Sequence, residues 1–368
     1  MKKLKSTKIN LLIVFCIITM FIFISYNRYV LATINNDEEI SFVLEEFFTN
    51  KNNCILSKDL EGLGCFYNLD NKISRWAYET EVQKINYLDN WSSKQGINFN
   101  NIKSNIKINN VKSKANNVYS IICSISTDVT YNYLNDSTEN TFGLASVHYL
   151  DLKIENDNLT ILKEWYADPL VDSLDLKKIK ADNIQEFILA QKYPNFILNK
   201  RLEKAMDYAH SYCGVSFCGV SLNGSDFKYN SNYKDFNSQG GDCANFASQI
   251  LHEGGFKKNS IWNYSAGSGT KAWVNAQAFK NYMVNSGRGN YICKGKYENI
   301  YKEAFKLRPG DFVAYEDKGK ITHISTVTGL DSKGYPLVTC HNADRLLVPY
   351  DLGWSNSNIV FHLIHVNY

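Results

Sequence analysis

The stretch GGDCANFASQILHEGG, residues 240–255, sets one cysteine directly after an aspartate, with paired glycines at both ends. Asp242 is a favoured N-cap type, with a carboxylate able to accept an early backbone N–H. Ala244, Ala247, Ile250 and Leu251 recur at helical spacing, and Gly254 with Gly255 form a natural stop. The pattern predicts a helix with Cys243 in its first turn. There the positive end of the helix dipole, helped by a neighbouring imidazolium, can bring a thiol pKa from about 8.5 down to ~3.5–7.5. Gly240 and Gly241 leave room for a substrate backbone to approach. Such a thiol attacks carbonyl carbon once a base takes its proton. Of the 7 histidines, His148 falls in the N-terminal half, His210 and His252 on predicted helices, and His362 and His365 in the terminal strand. His323 opens a strand soon after the turn PGD (Pro309–Asp311), and His341 with Asn342 follows a later strand. Either could orient the imidazole as the third polar group of a triad. Two plainer readings compete: Cys243 as small core filler, or Cys, His and His as zinc ligands. No H-E-x-x-H or paired C-x-x-C accompanies them, which argues against the metal.

The elements that must position these groups are readable from periodicity. LNKRLEKAMDYAHSYC predicts a helix with Leu202, Ala205, Met206 and Ala209 on one face, and AQAFKNYM a further helix. GDFVAYED, THISTVTG and YPLVTCHNADR, from Gly310, Thr322 and Tyr335, read as turn-bounded strands. Upstream, DEEISFVLEEFFT and SRWAYETEVQKINYLDNW (Ser74–Trp91) read as helices. Three stretches after them alternate polar with β-branched and aromatic residues. Helices followed by antiparallel strands predict an α+β domain over 33–169, whose element order resembles the NTF2-like cone. Residues 170–197, polar and holding Pro194, read as a partly helical linker before a C-terminal domain at 198–368.

The whole chain sets the bounds. Its 368 residues are 44% hydrophobic and 21% charged, a globular composition with room for two domains. Residues 1–32 differ: a lysine-rich start precedes the uncharged apolar run Ile9–Ser25, and Val30–Ala32 offers small residues for a signal peptidase. A cleaved signal and an uncleaved single-span anchor are both open; either places the remainder outside the membrane, secreted or anchored. That segment holds five positive charges and no acid, so the formal net charge of +3 becomes −2 without it, and no basic signature for nucleic acid is left. Eight of the 9 cysteines follow the segment, where disulfides are permitted. Cys54 with Cys65, and Cys213 with Cys218, are close in sequence, but spacing does not fix pairing.

Residues 198–368 resemble the bacterial putative amidase domain, a branch of the papain-like NlpC/P60 and CHAP cysteine hydrolases. The resemblance is carried in order by NKRLEKAMDYAHSY, GGDCANFASQILHEGG, the tryptophans Trp262 and Trp273, then LRPGDFVAY, THISTVTG and HNADR. It implies Cys243 as nucleophile, His323 as general base and His341 as the orienting residue, with Asn342 and, more distantly, Asp344 as alternatives. Tyr233 falls where related enzymes have a group that helps bind the oxyanion, and Ala244 replaces the usual threonine. The implied activity is amide hydrolysis through a thioester, with no cofactor or metal. Location and analogy point to peptidoglycan or another amide as substrate. Acyl transfer to an amine and a catalytically silent surface-binding module stand as alternatives.

Overall fold

The computed structural model describes residues 38–155, 158–170, 183–217, 226–354 and 358–368. The apolar N-terminal segment expected at 1–32 lies outside them, as do Cys16 and Cys218. Among the described residues no helix is long and apolar enough to cross a membrane. The chain divides into two units, 1–47 and 48–368. Of the first, only 38–47 are described, and these are helical.

The second unit opens with helical residues 48–57 (α1), Leu60–Gly64 (α2) and the long helix Lys72–Gln95 (α3). Asn71 starts α3 by accepting the N–H groups of Ile73 and Ser74. Gly96, left-handed at φ +71°, ends it and turns the chain into the first strand. That strand is β1 (Ile97–Ser113), followed by β2 (Val118–Tyr133), β3 (Asn140–Glu155) and β4 (Asn158–Tyr166). Helices α4 (Ile184–Leu189), α5 (Lys200–Ser211) and α6 (Cys243–Glu253) come next. Then follow the small ribbon β5 (Tyr264–Ser265) and β6 (Ser268–Gly269), α7 (Lys271–Val274), α8 (Ala276–Asn285), β7 (Gly289–Gly295) and α9 (Tyr297–Ala304). Strands β8 (Phe312–Asp317), β9 (Lys320–Leu330), β10 (Pro336–Cys340), β11 (Asp344–Pro349) and β12 (Val360–Val366) complete the chain.

The fold is mixed α+β around one large antiparallel sheet, ordered β1-β2-β3-β11-β10-β9-β8-β12-β7, with β4 also on β3. The outer edge of β3 is divided. Gly143–Ala145 pair with β11, and His148–Glu155 pair with β4. Strands from the expected accessory stretch and from the C-terminal stretch therefore share one hydrogen-bonded sheet.

One apolar core spans this junction, holding Trp91, Tyr131 and Phe142 with Tyr315, Tyr350 and Phe361. Two buried aspartates bind its polar tips. Tyr131 and Tyr133 donate to Asp331 at 2.9 and 2.6 Å. Asp351 accepts from Trp91 Nε1 at 3.0 Å and Tyr335 at 2.8 Å, and pairs with Lys94 of α3. Burial pulls the Lys94 pKa down against the pull of Asp351, so the ammonium depends on that carboxylate. Removing one member of a buried pair strands the other charge. Asp351→Ala is expected to cost about 3–5 kcal/mol in urea unfolding, and Asp351→Asn clearly less; equal stability of Asp351→Ala and the native chain would contradict this account.

Candidate active site

Helix α6 begins at Cys243, as the sequence spacing predicts. Its lead-in does not use Asp242 in the expected way. The carboxylate makes no capping bond to the helix. Instead Oδ1 accepts from Phe236 N–H and Asn245 Nδ2, both at 2.9 Å, while Oδ2 lies 2.6 Å from His341 Nδ1. The His341 ring is sandwiched between Tyr229 and Phe246, with centroids 3.7 and 3.8 Å away, and its Nε2 donates to the Tyr212 carbonyl at 2.8 Å. Asn342 Oδ1 accepts the Asp242 N–H. Gly241 is left-handed at φ +122° and packs so closely on Asn342 that any Cβ would collide with it. Gly240 faces open space. Of the two glycines, one is required by packing and the other leaves an approach.

The remaining motif polar groups fix the helix as well. Asn245 accepts from Trp273 Nε1 at 2.8 Å, Ser248 accepts from Trp262 Nε1 at 2.9 Å, and Gln249 accepts from Tyr208 at 2.7 Å. The PGD turn is closed by Asp311 Oδ2, which accepts the Arg308 N–H at 2.8 Å. The three helix bonds tie α6 to α5, to α7 and to the loop at Trp262.

The pairing of β9 with β10 runs only as far as Thr326↔Thr339. Beyond it, the Cys243 sulfur faces the backbone N–H groups of Ile324 and Ala244. His323, one residue before Ile324, directs Nε2 to the Cys340 sulfur at 3.3 Å and stacks on Trp354, centroid to centroid 5.1 Å. Cys340 is also close enough to act electrostatically on Cys243. Where the ladder opens, His323 therefore meets Cys340, and Cys340 in turn lies near Cys243. Cys340 has a free thiol, as do Cys243, Cys54, Cys65 and Cys213.

Burial sets the resting protonation. Cys243 is 6% exposed, and the loss of water around it pushes its thiol up to about 12, outweighing the two N–H groups that favour the thiolate. The low thiol pKa expected from the helix terminus is therefore not what the fold produces. Burial, with Arg345 adding to it, pulls His323 down to about 3. Thiol and imidazole are thus both uncharged at neutral pH.

A cavity of about 460 Å³ reaches His323, lined also by Thr322, Asn342, Arg345 and Trp354. Arg345 is anchored by donating to the Leu352 carbonyl at 2.6 Å and to the Pro169 carbonyl. Among the described residues, no group of three or more His, Cys, Asp or Glu could hold a metal ion.

The other sequence-derived candidates separate into distinct places. His341, expected to orient His323, bonds instead to Asp242 and Tyr212. Asn342 shares the cavity wall with His323. Asp344 accepts from Tyr229 at 2.5 Å, and burial lifts its carboxyl to about 7. Tyr233 packs on Tyr264 and Trp273 beside the apolar cluster containing Cys243. Cys340, Arg345 and Trp354 were missing from the sequence-derived set. A period-two count would have found Cys340, because adjacent strand residues face opposite ways and His341 points elsewhere.

Comparisons with known proteins bear on the same region. Residues 199–364 match the family model described as a putative amidase domain, which points to amide hydrolysis. The uncharacterized protein YhbB of Bacillus subtilis (strain 168) is 32% identical over 132 residues, covering 32% of this chain and 37% of its own length. The uncharacterized protein YjcM of the same organism is 30% identical over 152 residues, 39% of this chain and 31% of its own. The chain thus spans about a third of the length of these curated relatives. A crystal structure of the intermembrane space region of chloroplast protein ARC6 aligns at a TM-score of 0.25 and 8% identity, over 36% of this chain and 94% of that one, too low to support an argument.

A buried neutral thiol makes a clear expectation. Alkylation of Cys243 by iodoacetamide, followed by peptide mass spectrometry, should accelerate about tenfold per pH unit between roughly pH 7 and 9; a flat rate over that range would show an ionised sulfur. Independently, His341→Ala leaves the Asp242 carboxylate buried without its partner. Denaturant unfolding should show a loss of about 3–5 kcal/mol.

Proposed function

We propose that residues 199–364 form a cysteine-dependent amide hydrolase of papain-like fold, related to the NlpC/P60 and CHAP enzymes. The observation that supports this reading most is the position of Cys243. It is the first residue of α6, its sulfur faces the Ile324 N–H, and His323 is the next residue along the strand. In this reading the carbonyl of the substrate enters from the cavity lined by His323 and Trp354. The neutral imidazole accepts the thiol proton as sulfur attacks the carbonyl carbon, giving a tetrahedral oxyanion. The first backbone N–H groups of α6, with Tyr233 assisting, would stabilise that charge; one such donor is typically worth ~2.7–4 kcal/mol. Collapse expels the amine, which takes the proton from His323 and leaves a thioester. Water, deprotonated by the same imidazole, then releases the acid and restores the thiol.

In this reading the domain works outside the membrane, secreted or held by a single span, a reading supported by the lysine-rich start and apolar run of residues 1–32. The substrate there is a peptidoglycan peptide or amide bond, by analogy with the related enzymes. Asn342, on the cavity wall, is the polar group placed to meet substrate beside His323, whereas His341 acts through Asp242 on the start of α6.

One observation favours a second assignment within the same chemistry. The His323 ring touches the Cys340 sulfur at 3.3 Å, which makes Cys340 the alternative nucleophile. Cys243→Ala and Cys340→Ala, assayed on purified wall fragments by new amino termini, separate the two. The first reading expects loss on the order of 10⁴-fold or more in kcat for Cys243→Ala and retained turnover in Cys340→Ala; the opposite result transfers the role to Cys340. Activity lost in neither variant overturns the cysteine mechanism. Because His323 stays unprotonated down to about 3, kcat/KM should show no acid limb near the ordinary histidine value of about 6.5. A clear ionisation there would mean that the ring is solvated in the working enzyme.

A further inference from the structure

Cys54 and Cys65 stand apart from the other cysteines of the described residues. Cys123, Cys213, Cys243 and Cys340 are buried and Cys293 is half-buried, whereas Cys65 is exposed with Cys54 half-buried close to it. Both have free thiols. The sequence places them eleven positions apart; the fold decides whether they face each other.

Cys54 lies near the end of α1. Its carbonyl accepts the Asp59 N–H at 2.9 Å, across a turn in which Lys58 is left-handed at φ 60°. Asp59 then starts α2 by accepting the Gly62 N–H at 2.9 Å. This tight reversal turns the Cys54 sulfur onto α2 at Gly62, where a Cβ would lie 3.3 Å from it. Cys65 follows three residues later. It keeps helical backbone at φ −62° and ψ −23°, and its N–H closes α2 on the Glu61 and Gly62 carbonyls at 3.2 and 3.3 Å. Positions three apart on a helix share a face, with Cβ atoms roughly 5–6 Å apart. The Cys54 sulfur therefore sits over the row that carries Cys65, and Cys65 acts electrostatically on it. The Cys65 thiol itself only donates to the Glu61 carbonyl at 3.4 Å, a weak bond at the surface that a χ1 rotation releases.

We propose that Cys54 and Cys65 are a redox pair that closes to a disulfide and staples α1 to α2. The oxidant is a second disulfide, of a small molecule or a protein. Burial, then Asp59 and Cys65, hold the Cys54 thiol above its ordinary value, so the exposed Cys65 reacts first. Its thiolate attacks one sulfur of the oxidant, forming a mixed disulfide and releasing one thiolate. Cys54 then loses its proton and displaces the second thiolate, which leaves the Cys54–Cys65 bond. Two electrons pass from the pair to the oxidant, and the two protons end on the two released thiols. The staple acts on α1. Lys51, one turn before Cys54, reaches the buried end of a cavity in the N-terminal half and pairs there with Glu164 at 2.7 Å and Glu81 at 3.2 Å. Tying Cys54 to α2 restrains the end of α1 that carries this lysine. The pairing is independent of the amidase reading; only the source of oxidant follows from a place outside the membrane, where disulfides persist.

Trypsin separates the two cysteines, because Lys58 falls between them: Cys54 lies in 52–58 and Cys65 in 59–72. The full-length chain is equilibrated with oxidised and reduced glutathione, alkylated with iodoacetamide and digested. Mass spectrometry should find these two peptides joined, and separate after reduction. A bond that fits the fold is favoured by folding by the same factor by which it stabilises the fold, so its equilibrium constant against glutathione should be about fivefold or more larger in the native chain than in the urea-unfolded one. The Cys54→Ser chain, as control, should carry Cys65 only as a glutathione adduct or an alkylated thiol. A smaller ratio overturns the proposal, as does absence of the joined peptides from the folded chain in excess oxidised glutathione. Cys54 joined mainly to a different cysteine overturns it equally.

Discussion

The contact on which the C-terminal half depends is the buried pair of Asp242 and His341, with the His341 ring clamped between Tyr229 and Phe246. It joins the residue before α6 to the residue that follows β10, 99 positions away in the chain. Every acceptor on that carboxylate is used by a group from a different segment: Phe236 from the preceding loop, Asn245 from the helix, His341 from the sheet. The start of α6 is thereby fixed against the end of β10, and Cys243 with it. A capping bond to the helix itself would have served local helix stability; the observed bonds serve position instead.

That positioning carries an electrostatic consequence. A helix terminus lowers a thiol pKa by a modest, short-range effect, while full burial raises it by several units. At Cys243 burial prevails, and at His323 it acts in the opposite direction on the base. The two shifts together stabilise uncharged partners. In the proposed mechanism a proton would move between them only as sulfur attacks.

The two halves of the second unit are joined by the same kind of device. Asp331 and Asp351 collect tyrosine, tryptophan and lysine donors from both halves inside one apolar core, and β3 pairs with β11 to make the sheet continuous. Pro169 shows how closely the halves abut: its carbonyl holds Arg345, and its residue lines both the cleft at His323 and the cavity of the N-terminal half.

Much of the local structure was legible in the chain itself. Periodicity and stop residues placed α6, periodicity marked the middle of α3 at Ser74–Trp91, alternation marked β2, β3 and β4, and turns bounded β8 and β9, because these depend on contacts within a few residues. The GGDC lead, His323 and the tryptophans all fall within residues 199–364, the stretch that matches the family model. What short-range patterns could not reveal was which groups meet. That His341 turns to Asp242, that Cys340 turns to His323, and that β3 and β11 are neighbours all follow from strand register and long-range packing. The thiol's protonation was likewise hidden, since it is set by how much water the finished fold removes from around the sulfur, and no neighbour in sequence carries that information.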